Sequence, residues 1–332
     1  MNTTINNGWS ALTVCMLLAF SMLLPNNLVA QSDIANKDRS SLIVELDLKR
    51  MMTSPLVDKE QLGQLQQMGI LPFDVTNANR VFATVQFPDD FIKLTAPRGK
   101  ALPFNFLMQV DFADAESAKN MIEPLRDIGV TEVEKNGKTF LAPKGEDAPE
   151  NLLFHAGKEK SVEMGTEDYI TKNSRDFPTK KLASLWSKNA KPNAIRLSID
   201  VESNRKFVTQ AMEVARERVP PTMQGLLGAV DHLATISLSA DFDNANLLSI
   251  VATGKDEEST KTLNAAINGL LGMGRLMGNQ SLSAGNMDEE SKNTVKQLLD
   301  SLMTKVSGNE VRVTVPKPAG FDAMIKKLQS GG

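Results

Sequence analysis

The sequence predicts an α+β protein made of two tandem split βαβ units, the ferredoxin-like order, with antiparallel sheets carrying helices on one face. Three observations lead there. Short runs alternating apolar with polar residues recur in the same order in both halves of the chain. A helix-start phrase is written almost twice, DAESAKNMIEPL at 114–125 and DEESTKTLNAAI at 256–267. Each copy directly follows one of the alternating runs.

The runs of the first half are VELDL (44–48), VFATVQF (81–87) and NFLMQVDF (105–112); those of the second are LSIDV (197–201), ATISLSADF (234–242) and NLLSIVATG (246–254). Alternation over so few residues is the pattern of a half-buried strand. Between the first and second run of each half lies a helical stretch, DKEQLGQLQQMG at 58–69 and SNRKFVTQAMEVARERV at 203–219. In the latter, Phe207, Ala211, Val214, Ala215 and Val219 fall near one helical face. Pro220 and Pro221 break it and can open a second helix in TMQGLLGAVDHL.

In the repeated phrase Asp114 and Asp256 occupy the N-cap position, where a carboxylate accepts hydrogen bonds from the first free amides. Glu116 and Glu258 then meet the positive end of the helix dipole. A third copy, DEESKN at 288–293, shows how readily such a start arises, so its weight comes from the strand before it. A further helix across 289–307 and a last strand, EVRVTVP at 310–316, complete the second half. The first half carries two additional hairpins, EVEKNGKTFLAP (132–143) turning at Asn136-Gly137 and LLFHAGKEKSVEM (152–164) turning at Gly157. The units, residues 41–178 and 194–332, the second with a C-terminal helix, are expected to meet at the Lys-rich helical linker TKKLASLWSKNAKPN, 179–193. Whether they form two sheets or share one is left open by pattern alone.

Residues 1–30 have the form of a secretory signal peptide: polar MNTTINNGWS, the apolar run ALTVCMLLAFSMLL, then PNNLVA before a polar segment. Cleavage is expected after Ala30, leaving 31–40 as a disordered N-terminal segment; retention as a membrane anchor is the alternative. The only cysteine, Cys15, lies inside the apolar run, preceded by Leu12, Thr13 and Val14 rather than the small residues of a lipid-attachment site. The mature chain is therefore expected to lack cysteine, disulfides and thiolate metal sites.

At 332 residues and 41% hydrophobic, the chain can bury two ordinary cores. Its 37 Lys and Arg against 40 Asp and Glu give a formal charge of −3 with neither sign in a long block, which argues against nucleic acid as a partner. The segments VEMGTEDYITK and KLASLWSKN, followed by the strand AIRLSIDVES, resemble exported bacterial proteins with duplicated α+β modules. The resemblance implies export, to the periplasm or the extracellular space, and brings no catalytic residue with it.

Candidate chemistry is sparse. His155 and His232, the only histidines, lack the spacing that places two imidazoles on one helix face, and both read as ordinary core or surface residues. DFDNAN at 241–246 groups Asp241, Asp243, Asn244 and Asn246, but Asn246 stands where a calcium loop needs Gly and Ala252 where it needs Glu, so a hairpin turn is expected; Asp111 and Asp114 read as strand end and helix cap. GLLGMGRLMGN (269–279) contains Gly272, Gly274 and Gly278 at the far end of a helix rather than after a strand, as a phosphate loop requires, and Arg275 and Asn268 interrupt any membrane span. It reads as a helix end packed on the sheet or fraying, or alternatively as an adaptable Met-rich surface. No Gly-x-Ser-x-Gly elbow occurs, and past the apolar leader only Tyr169 and Trp186 could offer non-Phe aromatic platforms. No catalytic, cofactor-binding or metal-ligating residue is assigned. The expected function is non-catalytic binding of a macromolecular partner in the cell envelope; a hydrolase whose carboxylates meet only on folding, or a small-ligand binder, is the alternative.

Overall fold

The computed structural model describes residues 41–54, 76–88, 101–127, 129–144, 149–157, 160–171, 180–188, 193–216, 228–284 and 288–329. The signal peptide expected at 1–30, the segment expected to be disordered at 31–40, the helix expected at 58–69 and the expected Pro220-Pro221 break lie outside them. In chain order the strands are β1 (Leu42–Asp47), β2 (Ala78–Gln86), β3 (Asn105–Phe112), β4 (Val130–Lys135), β5 (Lys138–Pro143), β6 (Leu152–Ala156), β7 (Ser161–Thr166), β8 (Ile195–Asp200), β9 (Leu233–Ala240), β10 (Asn246–Gly254), β11 (Met303–Ser307) and β12 (Glu310–Pro316). The helices are α1 (Leu48–Thr53), α2 (Ala115–Asp127), α3 (Glu167–Ile170), α4 (Lys180–Lys188), α5 (Arg205–Arg216), α6 (Glu257–Ala284), α7 (Glu289–Ser301) and α8 (Phe321–Gln329), with a 3-10 turn at Gly228–His232.

All twelve strands join one sheet in the order β11-β12-β10-β9-β8-β1-β2-β3-β7-β6-β5-β4, and every neighbouring pair is antiparallel. The two halves therefore share a single sheet, joined where β1 pairs with β8, Val44 opposite Leu197. Outward from that pair the sequence of elements matches. β1, β2, β3 and then β7 run one way; β8, β9, β10 and then β12 run the other; the third strand on each side feeds a helix, α2 or α6. The β4–β5 hairpin is additional to the first half.

The expected split βαβ order is not the one observed. That arrangement sets the first two strands parallel with another between them, whereas β1 and β2 are antiparallel neighbours, Leu46 opposite Val81. Antiparallel neighbours need no crossover over a face of the sheet, so β1-β2-β3 and β8-β9-β10 each lie side by side in chain order. The expected helix over 289–307 also divides: α7 ends at Ser301 and residues Met303–Ser307 form β11, folded onto β12 through a turn in which Gly308 has a positive φ of 56°. The Asn136-Gly137 hairpin forms as expected, with φ of 51° and 72° at its two turn residues.

Residues directly opposite in a ladder project to the same side, so the registers divide the sheet into two faces. One is apolar from β7 across to β12. Leu42, Val44 and Leu46 line up with Val81, Ala83 and Val85, then Met108 and Val110, then Met164 and Val162; in the other direction they line up with Ile195, Leu197 and Ile199, Ile236 and Leu238, Ile250 and Ala252, and Val311 and Val313. Helix α2 covers this face with Ala118, Met121 and Ile122, and α6 with Leu263 and Ile267. The opposite face carries Glu45, Arg196, Ser198, Ser237, Ser239 and Ser249, yet it is not bare. Tyr169 and Ile170 of α3 pack there on Leu107, Phe140 and Leu153, and Trp186 of α4 meets Phe82 and Arg196. Helices thus lie on both faces, and the linker expected at 179–193 supplies one of those on the polar side.

Candidate interaction surface

The titratable residues singled out from the sequence serve the fold. His155 projects from β6, its Nδ1 2.9 Å from the Thr139 carbonyl, while His232 closes the 3-10 turn ahead of β9, in the other half. Asp241 is only 1% exposed, and both its oxygens are engaged: Oδ1 accepts from the Asp243 amide at 3.1 Å, and Oδ2 from Asn244 at 2.9 Å and from Arg50 at 2.8 Å. Asp111 accepts from Gln109 at 2.7 Å. Among the described residues no group of three or more His, Cys, Asp or Glu side chains could hold a metal ion.

The three helix-start phrases behave alike. Asp114 and Asp256 each accept from the amide three residues on, Ser117 and Ser259, at 2.7 Å, and these hydrogen bonds hold both carboxyls below their usual range. Asp288 accepts from the Ser291 amide at 3.1 Å and hydroxyl at 2.9 Å and pairs with Lys327 of α8, which lowers its pKa to about 2. A depressed carboxyl stabilises the fold above its unfolded value and ceases to do so as the pH falls through the folded one. The first turn of α7 is therefore expected to stay protected above pH 4 and to open as the pH approaches 2. At neutral pH, Asp288→Ala, which removes the acceptor, should speed hydrogen exchange at the Ser291 amide, and unchanged protection would show that the cap does not hold α7.

At the centre of the polar face Glu45 stands between two arginines, Oε1 at 2.6 Å from Arg80 and Oε2 at 2.9 Å from Arg196. The Arg196 guanidinium lies 3.9 Å from the centre of the Trp186 ring and donates to the Trp186 carbonyl at 2.7 Å. Burial pulls the Arg196 pKa down and Glu45 opposes that shift. This cluster clamps α4 over the junction of the two halves. Beside it Ser198 and Ser237 share a hydroxyl contact at 2.8 Å, and the gap bounded by Trp186, Arg196 and neighbouring serines measures about 10 Å³, the space of a single water. It is too small for a ligand.

The β11 end of the sheet differs. Among the described residues the large hydrophobic side chains left exposed are Leu270, Leu276, Met277, Met303 and Val306, all on α6 or β11. The cause lies in the length of α6. Leu263 is 3% exposed on the sheet, and positions four, seven and fourteen residues further on the same helical stripe are Ile267, Leu270 and Met277. Exposure along the stripe rises to 39% at Leu270 and 65% at Met277. Asn268 already contacts Thr304 of the edge strand β11 at 2.9 Å, so the helix runs past the edge of the sheet. The overhang is held from one side by α7, where Gly278 faces Leu299 and Arg275 donates to the Leu299 carbonyl at 3.0 Å and to the Leu302 carbonyl.

The expectation that GLLGMGRLMGN ends a helix packed on the sheet or fraying is thus corrected: the helix continues to Ala284, and a Cβ added at Gly269, Gly272 or Gly274 would meet nothing within 4 Å. Strand β11 stands where the sequence predicts the end of a helix, although Gly308-Asn309 between MTKVS and EVRVTVP carries a two-residue hairpin signal.

No protein-family model matches the chain, and no curated protein matches it. Among solved structures, crystal form I of TP0453 is similar at a TM-score of 0.39 and 8% identity, covering 90% of this chain and 98% of that one. Crystal form III of TP0453 gives 0.40 and 8%, covering 89% and 97%. No helix of the described residues is long and apolar enough to cross a membrane.

Proposed function

We propose that this is an exported, non-catalytic protein of the bacterial cell envelope, with residues 1–30 as its leader, that binds a macromolecular partner through the exposed edge formed by α6 and β11. The observation that carries this reading is the confinement of Leu270, Leu276, Met277, Met303 and Val306 to one end of the molecule. Isolated exposed apolar residues are ordinary; a group of them on two adjoining elements marks a contact surface. Methionine suits such a surface because its flexible thioether adapts to the shape it meets. In the same reading the two halves are diverged copies of one module, supported by the matched strand order on either side of β1 and β8.

A hydrolase built on carboxylates draws less support. Among the described residues the carboxyls whose pKa moves, Asp114, Glu202, Asp256, Glu257 and Asp288, all move down, opposite to what a general acid at neutral pH requires.

The test uses the chain from residue 31 onward as bait in an envelope extract, beside a Leu276→Ser, Met277→Ser double variant. Both side chains are more than half exposed, so the variant is expected to fold. The wild type should retain a partner that the variant loses. Equal recovery of every protein by both baits would remove the basis of this reading.

A further inference from the structure

Resting on that reading, we propose that the β11 edge and the overhanging half of α6 receive, as an added strand, an extended partner segment that alternates apolar with acidic residues. Among the described residues no strand lies beyond β11, so its outer row of amides and carbonyls is open to a further ladder. Above that vacancy hang Leu270 and Met277, the continuation of the stripe that packs on the sheet through Leu263 and Ile267. An added strand would lie one strand spacing outside β11, beneath this shelf, and every second side chain would meet Leu270, Met277 and the exposed Val306.

The other side chains of the added strand would face Lys305 and, two residues away on the same side of β11, the exposed Met303. In the β11–β12 ladder Lys305 lies directly opposite Arg312, a like-charge pair on the polar face. Arg312 lies 4.0 Å from Glu310, two residues along its own strand, and donates to Ser249 of β10 at 3.3 Å. Among the described residues Lys305 forms no ion pair, whereas Arg312 has Glu310, so Lys305 is the cation left to be met at the rim. An acid opposite Lys305 on the incoming strand relieves that repulsion, and opposite charges across a ladder stabilise it. The same charge argues against a second copy of this chain as the occupant, because two antiparallel β11 strands centred on each other would place Lys305 against Lys305.

The probes are two fluorescent octapeptides, one alternating Val with Glu and one alternating Val with Lys, titrated against the chain from residue 31 onward. The acidic peptide should bind about fivefold more tightly than the basic one, the value of a cross-strand charge pair, and Lys305→Glu should invert that order. Met277→Ser should weaken both peptides alike. Absence of a preference, or a preference that Lys305→Glu leaves unchanged, overturns the proposal. So does tighter binding to anionic phospholipid vesicles than to either peptide, or dimerisation that competes with the acidic peptide. If the bait experiment succeeds and the inversion fails, strand addition falls while the binding surface stands; if the bait experiment fails, the surface itself is wrong.

Discussion

Replacing Phe140 by Ala is expected to destabilise the protein by about 4 kcal/mol, the cost of the lost transfer free energy and the cavity left behind. Phe140 is fully buried among Leu107, Leu153, Tyr169 and Ile170, an apolar cluster on the same face of the sheet as Glu45 and Arg196. It is the large side chain through which the added β4–β5 hairpin contacts α3, and the rigid ladder on one side and a one-turn helix on the other leave little scope for collapse. Phe140→Leu should cost well under half as much, since most of the volume remains. Urea unfolding of both variants distinguishes them. A Phe140→Ala protein within about 1 kcal/mol of wild type would show that α3 is not packed on the sheet as described.

The second large effect is expected at Glu45. Its carboxylate compensates Arg80 and Arg196 together, and Arg196 is 9% exposed, so Glu45→Ala leaves a buried cation with Trp186 as its chief remaining partner. Breaking a buried pair from one side costs about 3 kcal/mol, most of it the unpaired charge rather than the lost attraction. The double variant Glu45→Met, Arg196→Met should therefore be more stable than Glu45→Ala, although it changes more atoms. Trp186 fluorescence reports the same event locally, because loss of the clamp frees the indole from the guanidinium. Equal stability of Glu45→Ala and wild type would mean that the cluster does not hold α4.

Much of the local structure was legible. Alternation marks the strands because one face of each, such as Val81, Ala83 and Val85, enters an apolar layer; the acid-rich starts at Asp114, Asp256 and Asp288 cap helices because a carboxylate there satisfies free amides. The Asn136-Gly137 turn required left-handed backbone at both positions, which few residue pairs supply. Strand order was not legible, since a pattern of period two says which residues face the core but not which strand lies alongside. The pairing of Leu42 with Ile199 and the antiparallel sense of β1 and β2 depend on contacts that no local run encodes. β11 was passed over because α7 runs into it with only Leu302 between, and no Gly or Pro marks the change of period. The candidate surface was visible as composition, in the Gly and Met residues of 269–279, but its exposure arises from where the sheet stops.

The junction of the halves bears on how the chain reaches this state. Leu42 through Leu46 remain without one of their two neighbours until residues 195–199 have been synthesised, since these bond along one whole side of β1. Long-range pairings of this kind give a high contact order and slow folding, and they leave a strand margin available to foreign chains in the interval. An N-terminal fragment ending before Ile195 is accordingly expected to aggregate where the complete chain does not, and the nascent protein is most vulnerable between making its first half and its middle.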